Sequence, residues 1–118
     1  MPKDTNHYGT IFGGYILSLV DQAGFIEASR HGMHRWVTAA IDHVDFTEPV
    51  FVGDTVSCYA WTEKTGRTSV TVGVDVLVEK HGIKEELPVT TAKLTMVAVD
   101  QGRRPIPFTS PPTVPHRA

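Results

Sequence analysis

The sequence has one cysteine, almost no net charge and no long hydrophobic run, and each shortage argues against a class of protein. Cys58 is the only cysteine among 118 residues, so the chain has neither an internal disulfide nor a cysteine-ligated metal cluster. The 11 basic and 13 acidic residues are interspersed, which leaves no broad basic face for nucleic acid and no polybasic patch for a membrane. The most apolar segment, residues 11–26, is interrupted by Asp21 and Gln22, and no signal-peptide pattern precedes it. We therefore predict a cytoplasmic protein with no nucleic-acid or membrane partner.

Two kinds of hydrophobic periodicity divide the chain. Apolar residues at helical spacing predict a helix that begins at Gly13 and Gly14 and ends near Gly32. Apolar side chains cover most of its circumference, so we expect other structure to enclose it. The pattern then changes to the alternation typical of strands, in segments 36–46, 55–64, 68–80 and 89–100.

One helix followed by four strands predicts a two-layer α+β fold in which an antiparallel sheet curls around the helix. No helix connects the last three strands, so they should form an antiparallel meander. An open sheet has edge strands, and dimerisation would cover such an edge. We predict a domain over residues 1–100 and an irregular, loosely ordered, proline-rich tail over residues 101–118.

The clearest chemical signal is a carboxylate, Asp21, in the middle of the apolar helix. Helical spacing places it on a stripe with Leu17, Gly24, Phe25 and Ala28. Apolar surroundings make a charged carboxylate costly, so such a group is a candidate for catalysis. A solvent-filled crevice, or a buried Arg or His partner, would also explain it.

Two further features could bind a carbonyl group. The first backbone N–H groups of a helix lack intrahelical acceptors, and Gly13 and Gly14 would let an oxyanion approach them closely. A tight turn into the helix is the simpler explanation of the pair taken alone. Asn6 could donate its amide to a substrate carbonyl or orient a water, although Asn in such a loop is commonly a turn residue.

The segment "GRTS" comprises Gly66, Arg67, Thr68 and Ser69 and precedes the third predicted strand. Its guanidinium, hydroxyls and backbone amides suit a phosphate or a pantetheine chain. A hairpin turn would explain the segment equally simply.

Other common chemistries find no support in the sequence. His31 and His34 have no third ligand at useful spacing, so we predict no metal site. The sequence has no G-x-S-x-G elbow, and Cys58 lies in a β pattern away from any base. It also has no glycine-rich nucleotide-binding loop.

Three stretches together carry a family resemblance: "TNHYGTIFGGYILSLVDQAGFIEASRHG", "VTAAIDHVDFTEPVFVGDTV" and "GRTSVTVGVDVLVE". They contain, in order, N-x2-G-x2-F-G-G, a helical Asp, F-x2-P-V-x2-G-D and G-R-T-S. In this combination the chain resembles the acyl-CoA thioesterases of the hotdog fold, of the YciA and brain acyl-CoA hydrolase type. The resemblance extends from Met1 to about Asp100.

The resemblance implies a hotdog fold, with a long central helix wrapped by a curved antiparallel sheet. It implies a homodimer with active sites at its interface, and assembly into a homohexamer as a trimer of dimers. Members of this family usually have a strand before the "MP-DT" stretch, so we expect the first strand of the fold to be missing from this chain.

Site residues follow from the resemblance position by position. Asp21 matches the catalytic carboxylate, and Asn6 matches a catalytic asparagine supplied by the opposite subunit. Gly13 and Gly14 match the turn whose amides polarise the thioester carbonyl, and Gly66–Ser69 matches the segment near bound CoA.

The implied activity is hydrolysis of acyl-CoA, a small-molecule substrate, to free acid and CoA, with Asp21 as general base or nucleophile. No cofactor is needed, because CoA is part of the substrate. Two alternatives stay open: a noncatalytic acyl-CoA-binding hotdog module, and a hotdog hydratase or dehydratase. The latter needs an acid and base pair, and Glu27, six residues after Asp21, should point away from it.

Overall fold

The computed structural model describes residues 13–80 and 85–114. In chain order these form helix α1 (Gly13–Ser29) and strands β1 (Arg35–Phe46), β2 (Thr55–Thr65), β3 (Ser69–Glu79) and β4 (Glu86–Val99). The predicted helix and strands are confirmed, with ends within three residues of the expected ones. The strand expected to be missing would precede the "MP-DT" stretch at Met1, so its absence stays a prediction. Within them, no helix is long and apolar enough to cross a membrane.

The four strands form one antiparallel sheet in the order β1–β4–β3–β2. The predicted meander of β2, β3 and β4 is therefore confirmed. β1 pairs with β4, with Trp36 opposite Ala98, so β1 and β2 are the two edges of the described sheet. The sheet is open, as in a hotdog fold seen in a single chain.

The core lies between α1 and the two central strands. The predicted alternation in β3 is confirmed, because Val70, Val72, Val74, Val76 and Val78 are all fully buried. The same core cluster contains residues of β4 and of α1: Ala92, Leu94, Met96, Ile16 and Val20. Gly24 brings the helix close to the sheet, since a Cβ there would lie 3.2 Å from Cδ2 of Leu94.

The helix ends earlier than its sequence pattern predicts. It stops at Ser29, and single turns follow in which His31 N donates to the carbonyl of Ala28 at 2.9 Å. Gly32 has a different role from the expected helix stop: a Cβ there would lie 2.7 Å from the carbonyl oxygen of Phe108. Gly32 therefore permits a close approach between the helix end and the C-terminal segment.

Within the described residues, the expected enclosure of the helix is only partial. Only one side of α1 packs on the sheet, and Tyr15, Phe25 and Ile26 are 41%, 46% and 64% exposed. Val37 and Ile41 on the neighbouring edge strand are also exposed. Because apolar side chains of this size seldom cluster at a free surface, this side of the molecule has the character of an interface.

The chain after β4 is irregular, as predicted, but it is packed rather than loose over residues 101–114. Pro105 pairs with Val99, and Ile106 N donates to the carbonyl of Ala98 at 2.9 Å. Phe108 packs against the core. Backbone hydrogen bonds to β4 thus hold the segment in place although it contains several prolines. The domain boundary at residue 100 stays a prediction.

Candidate active site

Asp21 faces the edge strand β1 and has a hydroxyl partner there. Its Oδ1 accepts a hydrogen bond from Oγ1 of Thr38 at 2.5 Å, at the short end of the range for a hydroxyl and a carboxylate. The same hydroxyl lies 3.4 Å from Sδ of Met96. A hydroxyl has one proton and a thioether accepts weakly, so the carboxylate is the favoured acceptor. Thr38 thus holds the Asp21 side chain against the strand.

Asp21 and Thr38 lie in an open groove of about 610 Å³ between α1 and β1, called here the Asp21 groove. Its apolar walls include Phe25, Ile26, Val37 and Met96. The groove therefore combines one carboxylate, one hydroxyl and a hydrocarbon surface, which suits a ligand with a reactive polar group and an apolar part.

The apolar surroundings expected for Asp21 are only partly present. Ala28 and Gly24 turn towards the sheet and are buried, whereas Asp21 itself is exposed in the single chain. The reason is geometric: the carboxylate lies where the buried face of α1 meets its exposed face. The hydrocarbon around it, on Phe25 and Ile26, is exposed as well, so the described residues by themselves leave the carboxylate open to water.

The two glycines lie at the start of the same helix. α1 begins at Gly13, and Gly14 is exposed, with no contact from another described element within 4 Å of the position a Cβ would take. Seven residues separate Gly14 from Asp21, which is about 10 Å along the axis. Residues seven apart lie on the same face of a helix, and a helical side chain leans towards the N-terminus, so the Asp21 side chain leans towards the first turn of α1.

The remaining predicted site residues are not brought into the Asp21 groove within the described chain. Asn6 lies outside the described residues. Gly66–Ser69 forms the turn between β2 and β3, where Gly66 N donates to the carbonyl of Ser69 at 2.8 Å. The carbonyl of Thr68 accepts from Ala98 N at 2.9 Å. The hairpin explanation of this segment is thus confirmed, and its contact with CoA stays a prediction.

Glu27 lies on the opposite side of the helix, as its spacing predicts. Its Oε2 accepts from Thr62 of β2 at 2.7 Å, and Thr62 Oγ1 lies 2.8 Å from Nε2 of His31. Arg30 pairs with Oε1 at 3.2 Å. Glu27 therefore belongs to a closed network away from Asp21 and forms no acid and base pair with it.

His34 is 3% exposed and has two partners, the carbonyl oxygen of Phe108 at 2.8 Å from Nε2 and the hydroxyl of Thr113 at 3.0 Å from Nδ1. Both imidazoles considered as metal ligands thus contact hydroxyl or carbonyl groups. No group of three metal-ligating side chains occurs within residues 13–80 and 85–114.

Sequence reasoning missed Thr38, because nothing in the segment "WVTAAI" indicates which hydroxyl will face a carboxylate on another element. It also missed the link from Glu27 to Thr62. Both contacts join residues far apart in the chain, so only the packing of α1 on the sheet reveals them.

Comparisons with known proteins all identify the same family, the thioesterases. The sequence pattern of the Thioesterase superfamily matches residues 8–85. An uncharacterized acyl-CoA thioester hydrolase of Haemophilus influenzae is 44% identical over 107 residues, which cover 88% of this chain and 70% of that protein. The acyl-CoA thioester hydrolase YciA of Salmonella typhimurium is 40% identical over 111 residues, covering 92% of this chain and 84% of that protein.

Solved structures agree with the sequence comparison. A hexameric hotdog fold thioesterase of Campylobacter jejuni superposes with a TM-score of 0.85 at 42% identity. The superposition covers 92% of this chain and 84% of that chain. The helix and open antiparallel sheet described above thus correspond to the subunit of a known fold.

Proposed function

Because this chain belongs to the thioesterase superfamily and has the hotdog fold, we propose that it is an acyl-CoA thioester hydrolase. The observation that carries the proposal is the Asp21 carboxylate, hydrogen-bonded by Thr38 in a groove with hydrocarbon walls. Relatives at 40% identity or more over most of the chain are named acyl-CoA thioester hydrolases, which supports the same substrate class.

In the proposed reaction, Asp21 takes a proton from a water as that water attacks the thioester carbonyl carbon. A C–O bond forms, the C–S bond breaks, and CoA leaves as a thiolate that the transferred proton can neutralise. A free thiol has a pKa near roughly 8.5, so this leaving group needs little acid assistance. Direct attack by Asp21 to form an anhydride, which water then opens, gives the same products.

Thr38 and the helix start would support this step. The Thr38 hydroxyl fixes one carboxylate oxygen and leaves the other free to accept the proton. The backbone N–H groups at Gly13 and Gly14 would stabilise the oxyanion that develops on the carbonyl. Asn6 of an opposite subunit would orient the water or the carbonyl.

We propose that the active unit is a homodimer built on the β1 side of the molecule. Val37 and Ile41 are 42% and 40% exposed on the edge strand, and Phe25 and Ile26 continue the apolar surface on α1. A partner on this surface would bury it and would close the open side of the Asp21 groove. Solved relatives described as hexameric support a homohexamer, which a trimer of such dimers would form.

The CoA part of the substrate would contact Gly66–Ser69. Arg67 is exposed and can pair with a phosphate. Because this turn does not line the groove of its own chain, we assign it to the substrate bound at a neighbouring subunit's groove. No cofactor takes part in the proposed reaction, and the cytoplasmic location stays a prediction.

The experiment is to incubate the purified protein with acetyl-CoA and dodecanoyl-CoA and to follow free thiol with a thiol reagent. We expect thiol release by the wild type and a loss of about a thousandfold in kcat for Asp21→Ala, with the melting temperature preserved. Binding without thiol release would support a noncatalytic module instead. Hydration of an enoyl-CoA without hydrolysis would support the hydratase alternative.

A further inference from the structure

A second cavity, of about 1050 Å³, adjoins the Asp21 groove and is called here the tail cavity. It lies where α1 ends, β1 begins, β4 ends and the chain after β4 returns. Its apolar walls are Phe25, Met33, Trp36, Val37, Val99 and Val114. Four polar or charged residues also line it. Ser29 and His34 have hydrogen-bond partners within the fold, whereas Arg35 and Arg103 are exposed where the cavity meets solvent.

The tail cavity and the Asp21 groove are adjacent. Phe25, Trp36 and Val37 line both spaces. A ligand whose reactive group lies at Asp21 would reach the tail cavity by passing these three side chains.

Val114 in the C-terminal segment lines this cavity, and several contacts hold the segment there. Thr113 N and Val114 N both donate to the carbonyl of Met33, at 2.9 and 3.3 Å. The buried His34 ring joins the carbonyl of Phe108 to the hydroxyl of Thr113. A neutral imidazole with its proton on Nε2 satisfies both partners, so the ring ties the segment to the start of β1.

An acyl chain fits the cavity better than a polar ligand. Methylene groups need no hydrogen-bond partner, and each one moved out of water onto apolar walls favours binding. The volume is of the order found for small-molecule sites, about 300 to 1,000 Å³. Because the cavity adjoins the Asp21 groove, a thioester carbonyl near the carboxylate would have its acyl chain directed towards these walls.

We propose that the tail cavity receives the acyl chain of the substrate and that residues 108–114 determine which chain lengths fit, with Val114 as the residue of this segment that lines the cavity. This proposal rests on the proposed hydrolase function. It assigns the C-terminal segment a role in substrate selection rather than a role in linking or packing alone.

The test compares kcat/KM for dodecanoyl-CoA with kcat/KM for acetyl-CoA. Val114→Trp should fill the cavity and lower this ratio at least about tenfold, mainly through KM for the long substrate. Val114→Ala should leave more room and keep or raise the ratio. Thr109→Trp is the matched control, because Thr109 lies in the same segment but is exposed and does not line the cavity.

The outcomes separate this proposal from the proposed function. If the wild type and Thr109→Trp release thiol from acetyl-CoA, the hydrolase function holds, and a ratio in Val114→Trp within about twofold of wild type overturns the acyl pocket. A change in the size of the assembly with an unchanged ratio also overturns it, because the cavity would then be an interface between copies. If Val114→Trp does not fold, a ratio in Val114→Ala lowered about tenfold contradicts the proposal, whereas one kept or raised supports it.

Discussion

The two sides of α1 carry the same chemical pair in different surroundings. On the β1 side Asp21 accepts a hydroxyl from Thr38 at 2.5 Å, and on the β2 side Glu27 accepts one from Thr62 at 2.7 Å. Glu27 is 9% exposed, whereas Asp21 is open to solvent. A carboxylate and threonine contact therefore does not by itself mark an active site.

The surroundings of each carboxylate make the difference. Glu27 is paired with Arg30 and linked through Thr62 to His31, so its oxygens are used within the fold. Among the described residues, no cation forms an ion pair with Asp21, and partly exposed apolar side chains flank it. We infer that the β2 side is built for stability and the β1 side for a ligand and a second subunit.

The largest effect should come from removing the charge on the β1 side. Asp21→Asn keeps the shape of the side chain but cannot take a proton, so kcat should fall by about a thousandfold, measured by thiol release. The matched control is Asp75→Asn, which removes a carboxylate that accepts from Thr91 at 3.1 Å on the outer face of the sheet. Equal losses in both variants would contradict the assignment of Asp21.

On the β2 side, a substitution should lower stability and leave kcat nearly unchanged. Glu27→Leu removes the acceptor for Thr62 and should lower the free energy of unfolding by about 1–3 kcal/mol, measured by urea denaturation. Turnover per folded molecule should stay near that of the wild type. Glu63→Gln is the control: Glu63 pairs with Lys93 at 3.2 Å on the surface, so its loss should change stability by less than about 1 kcal/mol.

A smaller effect on kcat is expected from the Thr38 hydroxyl. Thr38→Val keeps the side-chain shape but removes the donor to Asp21, and kcat should fall by about tenfold to a hundredfold because the carboxylate loses its fixed position. KM should change much less than kcat. Thr91→Val removes the corresponding donor to Asp75 and should leave both constants unchanged; a similar loss there would argue against a positioning role for Thr38.

The smallest effect should be on the alkylation rate of Cys58, a partly buried thiol on β2. Burial raises the pKa of the Cys58 thiol, so less thiolate is present at a given pH in the folded protein than in the unfolded chain. Alkylation by iodoacetamide should be several-fold slower in buffer than in urea. Because the folded pKa is the higher one, this group's contribution to stability is present below the usual thiol pKa and is lost as pH rises through the folded pKa. Equal alkylation rates in both conditions would show that this side is open.

Much of the fold could be predicted because its signals are local. The valines of β3 occupy every second position, and that period by itself identifies the buried face of the strand. Asp21 stands out for the same reason, as a charged residue in an apolar helical run. The end of α1 was less predictable. The glycine at position 32 suggested a helix stop, but α1 ends at Ser29, and a Cβ on Gly32 would collide with the carbonyl oxygen of Phe108.

The sequence by itself determined the elements, the core face of the sheet and the presence of one carboxylate in a hydrophobic helix, because helical and strand periods act over a few residues. The tertiary structure decided that β1 lies beside β4, that Thr38 reaches Asp21, that Glu27 is enclosed while Asp21 is open, and that residues 101–114 pack against the domain. These contacts join residues distant in the chain. They depend on how closely whole elements approach each other, which no local pattern specifies.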